Sequence, residues 1–531
     1  MRTAGQPHSD RLTPVAVAGL RTSTSGLALP VLSLVLALTF FDNTIVTTVL
    51  APVQMSLHTS VSQLQWVVNG YALTFASLML VFGALGDQFG RKRIMLGGVA
   101  TFCIGSVVAA LAPSANVLIT GRVIMGVGAA ASEPGTLSMI RHVYTDQRQR
   151  AEALGVWTAV SGLGLALGPV IGGVLVGFWS WRAVFWFNVV FGIVALVTGA
   201  AVLPENSNAV RARIDIPGFA LGALTVASAA FATIVGESAG YATWWIVAMY
   251  SLAVVAGICF VLVERRAVNP MLDVSYFKRA PFAGSNFVAF ATYFATFSIF
   301  FFVALYLQVV GERSPYATAL DFVPMAAGMV LASIFTGHWV ATTGPRLPMT
   351  VGCVLTAIGI LATNAVISPT SGFWPLSGTL LVAGAGIGIA MVPVTSSTLS
   401  IVPADHSGMA ASMTNTSREL GAVAGVAILG SLVNGQLTTN LVHRLTAIGI
   451  PKSFQSEVIT AVTTGSFSEQ AKQFGGSAAI QEIIKKVVNA AYGAFGNGLD
   501  IALTAAGILM VVGTVVALTT TGSRRSEPAQ P

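Results

Sequence analysis

Charge is what this chain has least of. Of its 531 residues only 9% are Asp, Glu, Lys or Arg, while 54% are hydrophobic and the mean hydropathy is +0.78. A soluble domain carries roughly 25% charged residues, so a soluble globular protein is excluded and an integral membrane protein is indicated. Cysteine is nearly absent: Cys103, Cys259 and Cys353 all lie in apolar stretches. They support neither a disulfide framework nor a thiolate metal site and read as small packing residues. No GxSxG, P-loop, HExxH or cysteine pair at metal spacing occurs, and the six histidines are dispersed. These absences argue against an enzyme, a metal site and an ATP-driven pump. The net charge of +7 is scattered through short loops, so nucleic acid is not an expected partner.

What is present is a series of long apolar runs. A window of about 20 residues gives fourteen candidate spans: 28–50, 63–86, 94–112, 115–138, 152–178, 183–203, 216–236, 242–263, 282–309, 316–339, 347–367, 373–401, 408–435 and 498–519. Their length and internal Gly and Pro predict helices rather than barrel strands, hence an all-α membrane fold. An even number of spans puts both termini on one side. Eighteen of the 27 basic residues fall in the N-terminal segment, the C-terminal tail and the loops on that side. The short loops opposite hold only Arg182 and Arg313. This asymmetry predicts cytoplasmic termini. The N-terminal segment 1–27 is fairly polar and has no cleavable signal pattern. The tail is 520–531. Segment 436–497 is expected to be a long extracytoplasmic loop. Within it QEIIKKVVNAAYGAF (481–495) reads as a short amphipathic helix, on the membrane surface, over a cavity, or as loop filler.

A weak internal repeat is present. GALGDQFGRKR (83–93) follows span 2 and GHWVATTGPR (337–346) follows span 10, each keeping Gly, six residues, Gly and then a basic residue. Repeated halves are a transporter architecture with the substrate site between them near the midplane.

Buried charge marks the candidate site, because an ionisable group inside a span is costly and rarely decorative. Asp42 in span 1 and Arg122 in span 4 lie at matched depth, about 12 Å from the outer face at the helical rise, so an ion pair is possible. Asp42 is the expected proton acceptor and Arg122 the cation that tunes it. Glu133 follows Arg122 by three turns on nearly the same face. It reads as a second proton site, a counter-charge for a cationic substrate, or a structural acid beside Pro134. Arg418 and Glu419 are adjacent in span 13 and point about 100° apart, so each is expected to have another partner. Glu419 joins the proton-coupling candidates and Arg418 the substrate-binding ones. Asn69, Glu133 and Asp321 (near the outer end of span 10) are further substrate-binding candidates. So are Phe294, Phe297 and Phe301, which share a face of span 9 that binds flat molecules or faces lipid. Asp500, opening span 14, reads as a helix cap.

Three strings carry a family resemblance. GVWTAVSGLGLALGPVIGG (155–173) holds Gly155, Gly164, Gly168, Pro169, Gly172 and Gly173. Its glycines spaced by four suit close helix packing, and Pro169 can bend the span. The string resembles the antiporter motif of proton-coupled drug exporters in the major facilitator superfamily. The loop 83–93, with Gly83, Asp87, Gly90 and Arg91, resembles that superfamily's signature loop, departing at Gln88. FDNTIVTTVLAP resembles the first-span motif of its fourteen-span drug exporters, departing at Phe41 and Pro52. The family's span-4 motif places an Arg where Arg122 stands and assigns it to proton transfer. Related exporters of divalent cations often have Asp where Asn69 stands, which tilts the expected substrate toward monovalent or neutral amphiphiles.

The resemblance implies two six-helix bundles, 28–203 and 282–519, joined by a linker, 204–281, that carries the inserted spans 7 and 8. It implies an Asp87–Arg91 latch that breaks as the halves rock. It implies proton-coupled efflux of amphiphilic small molecules by alternating access in the cytoplasmic membrane, with the proton gradient as the only driver and no cofactor. Each chain has enough helices to work as a monomer. A dedicated exporter of an endogenous metabolite, an importer and a non-transporting sensor or scaffold are the alternatives.

Overall fold

The computed structural model describes residues 18–521 apart from 58, 60, 206–214, 268–269, 271, 312, 314, 369–370, 404–405 and 448–477. The first span runs as α1 (Ala18–Ile45), a 3-10 turn (Val46–Val49) and α2 (Leu50–Leu57). Pro52 has no N–H to give the carbonyl four residues back, and the preceding turn tightens accordingly. The first half continues with α3 (Val61–Phe89), α4 (Arg91–Ala110), α5 (Ala115–Val143), α6 (Gln147–Phe178) and α7 (Arg182–Val202). Two inserted helices follow, α8 (Ile216–Ala239) and α9 (Trp244–Glu264). The second half holds α10 (Ala280–Ser298), a π-turn (Ile299–Val303), α11 (Ala304–Val309), α12 (Pro315–Thr343), α13 (Arg346–Val366), α14 (Phe373–Ile401), α15 (Ser407–Ala447) and α16 (Ala478–Thr520). Among the described residues there is no strand. Among the described residues thirteen helices are long and apolar enough to cross a membrane, and the 32-residue α6 occupies the place of the remaining expected span.

Helix pairs in the membrane gain little from hydrophobic burial against each other, so they approach through small residues. In the first half α4 packs on α5 this way. A Cβ built on Gly98 would fall 2.7 Å from the Gly128 carbonyl, and one on Gly105 would fall 2.6 Å from the Met125 nitrogen. The second half repeats the device between α13 and α14, where a Cβ on Gly386 would lie 2.6 Å from the Thr356 hydroxyl. α1 packs on α5, α6 and α7, and α10 on α15 and α16. The halves meet along two seams, α6 against α12 and α3 against α15. α8 lies on both α3 and α15 and so bridges the second seam, with α9 behind it.

Segment 436–497 differs from expectation. α15 has 41 residues and α16 has 43, about 60 Å each against a hydrocarbon core of about 30 Å. Both therefore continue past the membrane. Their extensions pack together through Leu441, Leu445, Val487, Ala490, Ala491 and Ala494. The stretch 481–495 is helical as expected, but it lies in the first turns of α16, and its residues Val487, Ala490, Ala491 and Ala494 pack with Leu441 and Leu445 of α15. Residues 448–477 lie outside the described residues. Asp500 falls inside α16, so it caps no helix end; its Oδ1 accepts a hydrogen bond from Asn364 Nδ2 at 2.5 Å.

Candidate functional site

The first charged node is built inside the N-terminal half. Asp42 and Arg122 are both buried, and they meet as the matched depth requires: Arg122 Nη1 lies 2.5 Å from Asp42 Oδ2. The second carboxylate oxygen accepts from Asn188 Nδ2 on α7 at 2.7 Å. Arg122 Nε donates to the Val67 carbonyl on α3 at 2.9 Å, and the guanidinium lies 4.4 Å above the Tyr71 ring. A buried ion pair holds when extra hydrogen bonds and a polarisable face offset desolvation. Four elements, α1, α3, α5 and α7, supply them here.

The second node straddles the halves. One turn from Asp42, the hydroxyl of Thr39 donates to Glu133 Oε2 at 3.3 Å. Thr136 donates to the Glu133 carbonyl (2.7 Å) and accepts from Trp157 Nε1 (2.9 Å). The Trp157 ring in turn lies 5.4 Å from the Arg418 guanidinium, which comes from the other half, and Tyr293 lies on Arg418 at 5.7 Å. Arg418 Nη1 donates to Asn415 Oδ1 at 2.9 Å and Nη2 to Thr395 Oγ1 at 2.5 Å. Neither Glu133 nor Glu419 forms an ion pair with Arg418 among the described residues. The expectation of a separate partner thus holds for Arg418 and fails for Glu419, whose carboxylate takes no hydrogen bond among the described residues.

A third constellation closes the arginine-rich end. Arg91 Nη2 lies 2.8 Å from Asp87 Oδ1. Asp87 also crosses the seam: Oδ1 accepts from the Gly408 backbone N–H at 3.0 Å and Oδ2 from that of Met409 at 2.9 Å. A carboxylate there complements the N-terminal dipole of α15. Arg141 does the reverse for α14. Its Nη1 donates to the Leu399 carbonyl and its Nη2 to the Val402 carbonyl at 2.6 Å. Lys92 leaves the latch and donates to the last carbonyls of α7, Ala200 at 2.8 Å and Leu203 at 2.7 Å.

The repeat is structural. Gly90 and Gly344, its second glycines, both turn at positive φ, 105° and 80°, where a side chain is strained. The first glycines both touch the opposite half. A Cβ on Gly83 would fall 2.8 Å from the Gly408 carbonyl, and one on Gly337 would fall 2.6 Å from that of Ala151.

The glycine string of α6 splits between two neighbours. Gly164, Gly168 and Gly172 face α1, meeting Phe40, Thr44 and Thr48. Gly155 and Gly162 face α12 across the seam, meeting Ser333 and Met329. Gly173 packs on nothing within 4 Å, so its expected packing role is corrected: it follows Gly172 by 100° and points off both contact faces. The side chain of Pro169 lies outside the described residues.

Of the substrate-binding candidates, Glu133, Arg418 and Phe297 gather at the second node, and the others do not. The π-turn at Ile299–Val303 shifts the register of span 9. It separates Phe301, which is 47% exposed, from Phe294 and Phe297, which are mostly covered. Phe297 stacks on Tyr293 with centroids 5.8 Å apart and so joins the second node, while Phe294 packs on Phe290. Asp321 pairs with Arg313, whose Nη2 donates to the Ser371 carbonyl at 2.5 Å. It ties loops at the end of the bundle far from the latch and is unavailable as a central ligand. Asn69 is half-buried two residues past Val67 and makes no hydrogen bond among the described residues. Sequence reasoning missed Asn188, Tyr71, Trp157, Thr395 and Asn415. For Asn188 a signal existed, a lone amide in the apolar run WFNVVF. Trp157 lay inside the quoted glycine string.

A family model described as Major Facilitator Superfamily matches residues 32–426. The methylenomycin A resistance protein of Bacillus subtilis (strain 168) is 34% identical over 422 residues, 78% of this chain and 90% of the relative. The multidrug efflux pump LfrA of Mycolicibacterium smegmatis is 30% identical over 93% of this chain and 96% of its own. Among solved structures, the human organic anion transporter MFSD10 (TETRAN) superposes with a TM-score of 0.61 at 13% identity, covering 93% of this chain and 99% of that one. At that identity the likeness speaks for the fold alone.

Proposed function

The chain belongs to the major facilitator superfamily, and on that premise we propose that it exports amphiphilic small molecules from the cytoplasm in exchange for protons. The observation that carries the reading is the Asp42–Arg122–Asn188 node, a fully buried ion pair whose two carboxylate oxygens are both engaged. Relatives named as resistance proteins and efflux pumps support export. The concentration of basic residues at the latched end supports its placement in the cytoplasm.

The cycle follows from what each group holds. Asp42 exchanges its partner Arg122 for a proton entering from outside. The loss of charge loosens α1 against α5, and α6 follows because its glycines Gly164, Gly168 and Gly172 rest on α1. Movement of α6 changes its seam with α12 and releases the Asp87 and Arg141 clamps, opening the site inward. There the proton leaves and a substrate enters the aromatic and charged centre around Glu133, Arg418 and Trp157. The proton gradient drives the inward opening, the deprotonated and substrate-loaded chain returns and releases its cargo outside, and no cofactor takes part. One chain contains both halves and works as a monomer.

The test is proton release from purified protein on addition of a panel of cationic and neutral drugs, with flux in proteoliposomes. Wild type should release protons on drug binding and Asp42→Asn should release none while inserting normally. Undiminished drug export by Asp42→Asn would overturn the assignment. Activation by a single compound among the panel would place the protein with dedicated exporters.

A further inference from the structure

Two arginines are buried in the centre of this molecule, and they are treated differently. Arg122 is spent: its Nη1 has a carboxylate at 2.5 Å and its Nε a carbonyl at 2.9 Å. Arg418, 2% exposed, has no ion pair among the described residues, and the acceptors of its Nη groups, Asn415 Oδ1 and Thr395 Oγ1, are neutral. Among the described residues its Nε–H finds no acceptor, and neither does Nδ2 of Asn415, itself 1% exposed. The two are linked, since Asn415 Oδ1 accepts from Arg418 Nη1. That bond orients the Asn415 amide and leaves its NH2 as a pure donor. Buried donors without acceptors are uncommon and each needs a reason. A guanidinium without its ion pair is the costlier kind.

The surroundings limit the reason. The guanidinium is held by ring faces from both halves, Trp157 at 5.4 Å and Tyr293 at 5.7 Å. Phe297 extends the Tyr293 face by stacking on it. Trp157 belongs to the first half and Arg418, Tyr293 and Phe297 to the second, so this patch is divided when the halves part. Donors beside flat apolar faces recognise an acceptor atom on a flat framework.

Building on the export reading above, we propose that Arg418 Nε–H and Asn415 Nδ2–H form an acceptor-binding subsite for an oxygen atom, carbonyl or carboxylate, carried on a flat aromatic substrate, with Trp157 and Tyr293 as its stacking walls. Arg418 is then a specificity residue, and Asp42 with Arg122 serves the proton separately.

The test uses two probes that share three fused rings and differ at one position, acridone with a carbonyl and 9,10-dihydroacridine with a methylene. Each is measured by equilibrium dialysis against the full-length protein in nanodiscs, with empty nanodiscs subtracted. Acridone should bind at least about tenfold more tightly, the worth of a hydrogen bond from a charged donor. Arg418→Lys should bring the ratio to within about threefold of unity, and Asn415→Leu, which leaves the Nε–H donor, should lower it about threefold or more. Arg418→Lys keeps the charge but removes the Nε–H fork. A wild-type ratio near one, or a high ratio untouched by Asn415→Leu, overturns the subsite. Should Arg418→Lys fail to fold, the wild-type ratio and Asn415→Leu still decide. The two readings fail separately: a high ratio without proteoliposome flux sinks export and leaves the subsite, while flux with a ratio near one does the opposite.

Discussion

A buried carboxylate is held in place by the number of donors it keeps, and Asp42 keeps two from different helices. A hydrogen bond to a charged group contributes about 1.5–3 kcal/mol. Replacing Asn188 with Leu therefore removes one support of the ionised node without touching the Arg122 pair. Proteoliposome drug efflux should fall about tenfold or more, with elution as a monodisperse species unchanged. Arg122→Lys should be worse than its conserved charge suggests, because a lysine cannot serve Asp42 and the Val67 carbonyl in one plane. Full activity in either variant would show that the node is structural filler.

At the scale of elements, α6 is the informative helix. One helix carries two stripes of small residues, and their neighbours give opposite predictions for the same substitution. A Cβ on Gly168 would press on Thr44 and fall 3.1 Å from both the Ile45 nitrogen and the Phe41 carbonyl. Gly168→Ala should cost about 1–3 kcal/mol by overpacking and lower the thermal midpoint of the detergent-solubilised protein. Gly173→Ala meets nothing within 4 Å and replaces a poor helix former. It should leave the midpoint unchanged or raise it, by up to about 1 kcal/mol of helix propensity. Equal effects at the two positions would mean that α6 does not rest on α1 as described. The π-turn in span 9 is the corresponding element in the second half. It aims Tyr293 and Phe297 at the centre and turns Phe301 away, so Phe301→Ala should leave drug efflux within about twofold of wild type, as for a surface change.

The whole molecule is held shut at one end by an asymmetric clamp. Asp87 caps the start of α15 and Arg141 the end of α14, so the first half grips both sides of one connection. The pseudo-equivalent place in the second half has the glycines but Ala341 where the acid would stand, so the clamp is one-sided. Removing the charge with Asp87→Asn loses a helix-terminus interaction of about 1–2 kcal/mol. That should shift the population toward the open latch by about 5- to 30-fold. Spin labels on the exposed ends of α6 and α12 would read this as a longer distance. No change in distance would place the closure in the glycine seams instead. Adding Arg141→Ala should lengthen it further, because the two residues grip different helices.

What the sequence by itself determined is what lipid imposes locally. Each span must satisfy its own backbone and be apolar over its own length, so thirteen of the fourteen expected spans, the repeat and the burial of Asp42, Arg122 and Glu133 were legible among the described residues. The matched depth of Asp42 and Arg122 was enough to anticipate their pair. Partners set by packing were not legible. Asn188 reaches Asp42 from 146 residues away, and the Trp157 face that holds Arg418 belongs to the other half. The division of the α6 glycines between α1 and α12, the turn that discards Phe301, and the capture of Asp321 by Arg313 were decided in the same way. Hydropathy and spacing report what one helix needs from its surroundings. Only the tertiary structure decides which neighbour supplies it, because close packing selects among many helix faces that satisfy the same local pattern.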